Sequence, residues 1–226
     1  MSNDWKVDEY IKTENTSNPF LQEYTKVELD YITNKIENSK EKTFIDVGAG
    51  YGRVIPKLSK IAKKVLAVEI DKQMLYKLKE KALQYQNVSV IEGDAQGLSS
   101  SLKDFNTDKP VVLCLQNSLG TPYGDSYRII SEMVKLARNN GELIISLFTQ
   151  EGLKDCGISI YDSISGLTGK PDLEKTDFVN GNFVSKTGYK SHWWKPEERE
   201  KILKMVGGFL VAEIKGKCFY ILHVKY

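Results

Sequence analysis

The sequence predicts an α/β protein in which helices cover both faces of a doubly wound, mostly parallel sheet. Between residues 43 and 149, five short apolar runs alternate with segments whose apolar residues recur at helical spacing. The runs are apolar almost throughout, which is typical of strands buried on both faces. After residue 195 this alternation ends, and one helix and two β-rich runs follow. The two β-rich runs predict an antiparallel hairpin at the C-terminus.

The first strand, turn and helix begin this pattern. The predicted strand 43–48 runs directly into a turn with glycines at alternate positions. Val54, Ile55 and Leu58 then recur at helical spacing and predict a helix over 53–62. Such a junction brings bare backbone N–H groups and a helix N-terminus to one point, which suits a polar ligand.

The later elements follow from the same rules. Asp71 fits the N-cap of the next helix, 72–86. Near the C-terminus, Gly207 ends a helix predicted over 195–206, and Gly216 separates the last two β-rich runs. The remaining predicted elements are strands at 64–70, 88–93, 110–116, 142–148, 209–215 and 217–226, and helices near 98–105 and 125–139.

The composition is that of an ordinary globular domain. The 226 residues are 41% hydrophobic and 27% charged, enough for one domain with a full core. The net charge is +2, from 32 basic and 30 acidic residues, and this balance argues against nucleic acid as a partner. Lysines in 57–64 and 72–81 alternate with apolar residues and are interpreted as solvated helix faces.

The cysteines and the N-terminus favour a reduced, cytoplasmic protein. Cys114, Cys156 and Cys218 are far apart, odd in number and match no metal-ligand spacing. The first residues lack the basic and apolar regions of a signal peptide. No apolar run approaches the length that spans a membrane. We therefore expect a cytoplasmic location, no metal and no membrane partner.

The glycine turn has the spacing of a particular cofactor motif. It reads Asp46-Val47-Gly48-Ala49-Gly50-Tyr51-Gly52, with an acid two residues before the first glycine. A dinucleotide fingerprint would need its third glycine at 53, where this chain has Arg53, so a nicotinamide enzyme is a distant alternative. The pattern Asp-x-Gly-x-Gly-x-Gly resembles motif I of the class I S-adenosylmethionine (SAM)-dependent methyltransferases.

Two further acids lie where this resemblance requires them. Glu69 ends the second predicted strand, and a carboxylate there can accept hydrogen bonds from both hydroxyls of a ribose. Asp94 follows the third strand and matches the acid that the family directs at the adenine amino group, with an Asx turn as the structural alternative. The resemblance implies contacts to SAM, or to its product S-adenosylhomocysteine (SAH), from Asp46, Gly48, Ala49, Gly50, Gly52, Glu69, Ile70, Asp94, Ala95 and Gln116.

The resemblance also implies a strand order and a division of the chain. The family's sheet has seven strands in the order 3-2-1-4-5-7-6, ending in an antiparallel hairpin. A single domain, 1–226, would then consist of an N-terminal helical cap or lid (1–40), a cofactor-binding core (43–149), a peripheral insertion over the acceptor site (150–194), and the last helix and hairpin (195–226).

The end of the fourth strand bears on the methyl acceptor. DNA and RNA amino-methyltransferases, and some protein ones, carry (Asn/Asp/Ser)-Pro-Pro-(Tyr/Phe/Trp) here to grip a planar amide or an exocyclic amine. This chain has Gln116-Asn117-Ser118-Leu119-Gly120, and Thr121-Pro122-Tyr123 comes too late and lacks one proline. The segment is more similar to glycine-type and other small-molecule N-methyltransferases. Gln116 and Asn117 are expected to face the methionine end of SAM or the acceptor, with structural roles in a turn as the alternative.

Aromatic residues of the peripheral regions are candidates for an acceptor pocket. His192, Tyr189 and Asn117 are the candidate catalytic residues, with His192 as a candidate base. Trp193 and Trp194 either offer faces for cation–π contact with a methylsulfonium or anchor a long connection onto the sheet. The N-terminal aromatics are interpreted either as a lid over SAM or as ordinary helix packing: Trp5, Tyr10, Phe20 and Tyr24.

The sequence therefore predicts a SAM-dependent methyltransferase that methylates N or O of a small-molecule acceptor by in-line displacement. The expected partner is that small molecule, nucleic acid is not expected, and the protein is expected to be a monomer or a homodimer. A methyltransferase acting on RNA or protein, and a non-catalytic SAM-binding module, are the alternatives.

Overall fold

A computed structural model describes residues 7–121 and 124–226 of the chain. Trp5, Pro122 and Tyr123, which are named above, lie outside the described residues. The strands of the described part are β1 Thr43–Val47, β2 Lys64–Glu69, β3 Val88–Glu92, β4 Pro110–Cys114, β5 Glu142–Phe148, β6 Asn182–Val184, β7 Lys190–His192, β8 Phe209–Lys215 and β9 Phe219–Lys225.

The strands form a central sheet of seven and a separate ribbon of two. The order in the sheet is β3-β2-β1-β4-β5-β9-β8. The pairs among β1 to β5 are parallel, whereas β9 runs antiparallel to both β5 and β8. The predicted order is confirmed, and the hairpin strands are eighth and ninth only because the ribbon β6–β7 precedes them. The order reverses between β1 and β4, so a crevice opens at the carboxyl ends of these two strands.

Helices surround this sheet. Those of the described part are α1 Val7–Lys12, α2 Pro19–Lys35, α3 Ile55–Ile61, α4 Lys72–Ala82, α5 Leu98–Ser101, α6 Ser126–Ala137, α7 Ile158–Ser163, α8 Ser165–Thr168 and α9 Pro196–Val206. As the sequence predicts, Asp71 caps α4, where its Oδ1 accepts hydrogen bonds from the amides of Gln73 and Met74 at 3.0 and 2.9 Å. Within residues 7–121 and 124–226, no helix is both long enough and apolar enough to cross a membrane.

The sheet is buried on both faces because its strands alternate their side chains. In β1, Phe44 packs into the layer that α2 and α3 form, where Ile32 and Leu58 are also buried. Its neighbour Ile45 points the other way and packs into the layer of α6 and α9, together with Met133. The predicted doubly wound sheet with helices on both faces is therefore confirmed.

The chain between β5 and α9 covers the carboxyl end of the sheet near β5. Trp193 and Trp194 are buried there, and the ring of Trp193 stacks on Phe148 with 4.3 Å between ring centroids. At Gly181, where φ is +71°, a Cβ atom would lie 1.9 Å from the carbonyl oxygen of Trp193, so only glycine fits this turn. Of the two interpretations of the tryptophans, the structure supports anchoring.

Candidate cofactor and acceptor site

The turn between β1 and α3 is shaped by its glycines. Gly48, Gly50 and Gly52 have φ angles of +72°, +55° and +84°, a region that other residues rarely adopt. The amide of Gly48 donates a hydrogen bond to the carbonyl oxygen of Val68 at 3.0 Å, so the turn bends across the end of β2. A Cβ on Gly50 would meet no atom within 4 Å, whereas a Cβ on Gly52 would lie 2.7 Å from a methyl of Leu78. The turn is therefore open to a ligand at Gly50 and packed against α4 at Gly52.

Glu69 is fixed at the end of β2 by three backbone amides. Its Oε2 accepts a hydrogen bond from Gly50 at 2.7 Å, and its Oε1 accepts from Ile70 and Asp71 at 2.8 Å each. Burial raises the pKa of this carboxyl, and the amide hydrogen bonds oppose the rise. An ionised carboxylate has about four lone-pair sites, so these three bonds leave room for a further donor. The geometry fits the predicted contact to a ribose.

Asp46 lies beneath the turn and is almost fully buried. Burial raises the pKa of its carboxyl to about 7, and the Arg53 guanidinium opposes this rise while Glu28 and Glu69 add to it. A carboxyl with this pKa gains and loses its proton near neutral pH, unlike an ordinary Asp. Such shifts concentrate at functional sites.

A buried ion pair connects α2 to the glycine turn. Arg53 Nη2 donates to Glu28 Oε2, and the two side chains are 10% and 1% exposed. The second oxygen of Glu28 accepts hydrogen bonds from the amide of Gln116, at 2.8 Å, and from the Ser146 hydroxyl. Glu28 is not among the site residues predicted from the sequence. The pattern that could have indicated it is a lone acid on the buried face of α2, one helical turn after Tyr24.

The backbone just after β4 is strained at two consecutive residues. Gln116 and Asn117 have φ angles of +51° and +58°, where non-glycine residues are uncommon. Strain of this kind persists only where surrounding contacts impose it, and it clusters at ligand sites. Here Glu28 and the Ser146 hydroxyl both hold the Gln116 amide at 2.8 Å. The Gln116 side chain lines the cavity described below, and its Oε1 accepts a long hydrogen bond of 3.5 Å from the Tyr10 hydroxyl.

The protein itself satisfies all the hydrogen-bonding capacity of the Asn117 side-chain amide. Its Oδ1 accepts hydrogen bonds from the Phe148 amide and from Trp194 Nε1, both at 3.1 Å. Its Nδ2 donates to Ser191 Oγ at 3.3 Å and to the His192 carbonyl oxygen at 3.1 Å. These bonds tie the segment before α9 to β5, so the structure gives Asn117 a positioning role rather than a free amide.

A cavity of about 240 Å³ lies at the crevice between β1 and β4. One part of its wall consists of the glycine turn and predicted cofactor residues: Gly48, Gly50, Glu69, Ile70, Asp94, Ala95 and Gln116. The other part, which we name the acceptor chamber, is apolar and aromatic: Leu21, Phe148, Ile160, Tyr161, Ile164, Leu167 and Tyr189. Because the two parts form one cavity, a ligand in the first can touch a ligand in the second.

The remaining predicted cofactor residues lie at or behind the turn. Asp46 and Ala49 line a smaller cavity behind it, and Gly52 lines neither cavity. Asp94 is exposed, and its Oδ1 accepts a hydrogen bond from the Gln96 amide at 2.8 Å. Asp94 therefore forms both the Asx turn and part of the cavity wall.

His192 does not line the cavity. Its Nδ1 lies 2.9 Å from Asn182 Oδ1, and its Nε2 lies 3.0 Å from Glu198 Oε2. The imidazole also packs edge-on against Trp194. The structure thus separates His192 from Tyr189, which lies in the acceptor chamber.

Sequence reasoning missed the inner wall of the acceptor chamber. Tyr161 is buried, and its hydroxyl accepts a hydrogen bond from Trp193 Nε1 at 3.0 Å. Burial raises the pKa of Tyr161, so its hydroxyl stays protonated at neutral pH. The helical spacing of Ile160 and Ile164 beside it was the available signal. Among the described residues, no group of His, Cys, Asp or Glu is arranged to hold a metal ion.

Of the N-terminal aromatics, Tyr10 fits the interpretation as a lid over SAM and Tyr24 fits ordinary helix packing. Tyr10 lines the cavity, whereas Tyr24 is buried and stacks on Phe219 with 5.0 Å between centroids. The helix that carries Tyr10 touches α8, since a Cβ on Gly166 would lie 2.9 Å from Glu9 Oε2. The short helices α1 and α8 therefore meet at the cavity, which residues of both segments line.

Comparison with known proteins identifies the family. The ribosomal RNA adenine dimethylase family model matches residues 14–154. The probable ribosomal RNA small subunit methyltransferase A of Methanosarcina acetivorans is 39% identical over 194 residues, which cover 85% of this chain and 65% of that protein. The protein of the same name from Methanosarcina mazei is 25% identical over 195 residues, with the same coverage. The chain thus spans 65% of the length of these relatives.

Solved structures resemble this one at the level of the fold. The magnesium protoporphyrin IX methyltransferase of Synechocystis with bound SAH has a TM-score of 0.65 at 17% identity, covering 99% of this chain and 96% of that one. The CcbJ methyltransferase of Streptomyces caelestis has a TM-score of 0.62 at 18% identity, covering 88% and 87%. These likenesses confirm the class I methyltransferase fold.

The comparisons confirm one part of the sequence-based prediction and correct another. The assignment to the SAM-dependent methyltransferases, with SAM as cofactor, is confirmed. The small-molecule acceptor and the exclusion of nucleic acid are wrong, because the family and the relatives are named for ribosomal RNA. The net charge of +2 is a sum over the whole chain and says little about one surface, and a missing proline motif does not exclude a base as acceptor. The chain belongs to the ribosomal RNA adenine dimethylase family.

Proposed function

We propose that this protein transfers methyl groups from SAM to the exocyclic amine, N6, of an adenine in small-subunit ribosomal RNA. The observation that carries the proposal is the family match over 14–154, which includes the glycine turn, Glu69 and the strained residues after β4. The relatives are named for the small subunit, and N6 is the exocyclic nitrogen of adenine that can take two methyl groups. A cytoplasmic location, where ribosomes are assembled, is part of the same proposal.

The cleft at the glycine turn fits SAM. When bound, SAM supplies a methyl group that is already activated on a sulfonium. Glu69 keeps a lone-pair site for a ribose hydroxyl, and Gly50 leaves the backbone open to close approach. Ile70 is 49% exposed and gives an apolar surface at the cavity wall, next to the carboxylate of Asp94 in that wall. A nucleoside thus finds both polar and apolar partners there.

The chain's task at the acceptor is alignment. Methyl transfer is an in-line displacement in which the bond from N6 to the methyl forms as the methyl–sulfur bond breaks. Adenine N6 is uncharged at neutral pH, so no base is needed to remove a proton before attack, and the methylated nitrogen then releases one proton to water. Gln116 lines the cavity that contains both the cofactor part and the acceptor chamber, and its Oε1 can accept a hydrogen bond from the amine. This role takes the place of the proline-containing motif that this chain lacks.

The acceptor chamber suits a flat, uncharged ring. Phe148, Tyr161 and Tyr189 offer aromatic faces on which a base can stack. A base within a helix cannot reach a cavity of this kind, so the target adenine must leave its stack.

Transfer of labelled methyl groups to RNA tests this proposal. The protein is incubated with methyl-labelled SAM and with small-subunit RNA, both naked and in immature small subunits, from cells that lack adenine dimethylation. After digestion to nucleosides, we expect the label in N6-methyladenosine and N6,N6-dimethyladenosine. Label on another nucleoside, or in ribosomal protein but not in RNA, would overturn the proposal.

A matched pair of variants tests the cofactor site. Glu69→Ala removes the predicted ribose contact and should lower the label incorporated at limiting SAM, whereas Glu92→Ala changes an exposed acid on the neighbouring strand and should keep it. Binding of the same RNA should weaken as salt rises, because phosphate contacts release counterions. Binding that is independent of salt would argue against an RNA substrate.

A further inference from the structure

Two buried hydroxyl groups lie in the wall of the main cavity. Tyr161 belongs to α7 and Ser191 to β7, and the two residues are 2% and 4% exposed. Both line the cavity that contains the glycine turn and the acceptor chamber, and their hydroxyl groups interact with each other. We name Tyr161 and Ser191 the hydroxyl pair.

Each hydroxyl of the pair also contacts a group that can only donate. Trp193 Nε1 donates to the Tyr161 hydroxyl oxygen at 3.0 Å, and Asn117 Nδ2 donates to Ser191 Oγ at 3.3 Å. The orientation of the Asn117 amide is fixed, because its Oδ1 accepts two hydrogen bonds from N–H groups. An indole N–H and an amide NH₂ have no acceptor site, so neither of these neighbours can take a hydroxyl proton.

The hydroxyl pair therefore has one proton more than the protein accepts. Each hydroxyl carries one proton, and a hydrogen bond between the two uses only one of them. Within residues 7–121 and 124–226, no carbonyl or carboxylate oxygen accepts the other proton. The hydroxyl that keeps the spare proton accepts from both of its neighbours, so it can only donate further. Because a buried donor without a partner is costly, the spare proton points to an acceptor atom on a ligand in the cavity.

A ring nitrogen of the acceptor base fits this donor. Gln116, which can accept from the N6 amine, lines the same cavity, and the next residue, Asn117, contacts the hydroxyl pair. On the Watson–Crick edge of adenine the amine lies beside N1, whose lone pair accepts a hydrogen bond. Enzymes that extrude a base read it on this edge. Guanine carries a hydrogen at N1, so it would set two donors against each other.

We propose that the hydroxyl pair of Tyr161 and Ser191 donates a hydrogen bond to N1 of the target adenine and so distinguishes adenine from guanine. The inference rests on the proposed function, since it takes adenine as the acceptor base. N6-methyladenine keeps the lone pair of N1, so the same contact serves both methyl transfers. The pair determines specificity and takes no part in the bond that forms.

The unmodified protein provides a first test. RNA substrates carry adenosine, 1-deazaadenosine or 7-deazaadenosine at the target position, and kcat/KM for methyl transfer is measured for each. In 1-deazaadenosine a C–H group replaces N1, so we expect kcat/KM to fall by about 5–100-fold, the effect of leaving one buried donor unpaired. In 7-deazaadenosine the change lies on the other edge of the base, and kcat/KM should stay close to that of adenosine. Equal values for 1-deazaadenosine and adenosine would overturn the proposal and assign the spare proton to a buried water molecule.

Variants of the hydroxyl pair provide a second test. Tyr161→Phe combined with Ser191→Ala removes both hydroxyls, and we expect the ratio of kcat/KM for adenosine to that for 1-deazaadenosine to fall to about one. The ratio is taken within one variant, so a general loss of activity cancels. Ser163→Ala is the control, because it removes an exposed hydroxyl on the same helix outside the cavity and should keep the ratio. An unchanged ratio in the double variant would contradict the proposal.

A binding measurement separates this inference from the proposed function. The unmodified protein is saturated with SAH, which occupies the cofactor part of the cavity, and is titrated with N6-methyladenosine and with its 1-deaza analogue, followed by NMR. We expect the analogue to bind about 5–100-fold more weakly. This selectivity in a protein that leaves RNA unmethylated would refute the proposed RNA substrate and keep the role of the hydroxyl pair. Equal binding of the two nucleosides by a protein that methylates RNA would overturn the role of the pair and keep the function.

Discussion

Glu28 of α2 and Arg53 of the glycine turn form an ion pair that solvent hardly reaches. Glu28 also holds the strained amide of Gln116 at 2.8 Å. A single carboxylate from the N-terminal region thus fixes two segments that line the cavities. The helix α2 is therefore part of the frame of the site.

Breaking this pair should destabilise the protein strongly. Glu28→Ala leaves the Arg53 charge buried and unpaired, and we expect the free energy of unfolding to fall by about 3–5 kcal/mol. Urea unfolding followed by circular dichroism measures the change. Glu80→Ala removes the partner of the exposed Lys77 and should alter stability far less. Similar losses in the two variants would show that the buried pair has no special role.

Removal of the Glu69 carboxylate should weaken every ligand that contains the nucleoside. For Glu69→Ala we expect the dissociation constants of SAH and 5′-methylthioadenosine to rise together, by about 10–100-fold, because both ligands have the ribose. Calorimetry measures both constants. The control is Glu92→Ala, which changes the exposed residue paired with Glu69 in the sheet register. Unchanged 5′-methylthioadenosine binding in Glu69→Ala would place the ribose elsewhere.

Replacement of Gln116 should lower the activity without lowering the stability. Gln116→Gly removes the side chain and relieves a backbone held at a φ of +51°, so we expect unfolding free energy to stay constant or rise by up to about 1 kcal/mol. The rate of RNA methylation should fall by about 10–100-fold, because the contact to the amine is lost. Full methylation by this variant would remove Gln116 from the proposed mechanism.

The stability of the protein should depend on pH through Asp46. Burial raises the folded-state pKa of Asp46 to about 7 from its ordinary value of 3.8. Between these values the unfolded carboxyl is ionised while the folded one keeps its proton, so stability falls as pH rises, by up to about 1.4 kcal/mol per unit. Above about pH 7 both states are ionised and this contribution no longer changes with pH.

The variant Asp46→Asn isolates this effect. Urea unfolding of both proteins at several pH values between about 4 and 8 gives the two stability curves. We expect the decline toward neutral pH to be smaller in the variant, because its side chain does not titrate. Parallel curves would show that Asp46 has an ordinary pKa.

The meeting of the glycine turn with Glu69 could be predicted from the sequence because these residues are local. Asp46 to Gly52 are consecutive, and Glu69 ends the next strand, so a regular βα pattern is enough to bring them together. The acceptor chamber could not be predicted in this way. Leu21, Phe148 and Tyr161 come from three distant segments, and only the packing of α2 and the 150–194 region against β5 unites them.

The acceptor was mispredicted for a different physical reason. A balanced net charge does not describe the surface near one cavity, and the residues at 116–120 were judged by a motif that they lack. What the chain has there is backbone strain at Gln116 and Asn117, and no composition or spacing rule reveals a φ angle. The ion pair between Glu28 and Arg53 could not be predicted either. Ion pairs between separate elements leave no periodic pattern in a sequence.

Three backbone amides of the chain itself orient the Glu69 carboxylate, so we expect little ordering of this side chain to accompany cofactor binding. SAH lacks only the transferred methyl and retains the nucleoside and amino acid of SAM. The contacts that Glu69 and its neighbouring amides make should therefore be the same with both molecules. We therefore expect SAH to compete with SAM at similar concentrations, as a product inhibitor. Under the proposed function, two methyl groups on one adenine nitrogen require SAH to leave between the two transfers. A cell that removes SAH slowly should then accumulate singly methylated adenine.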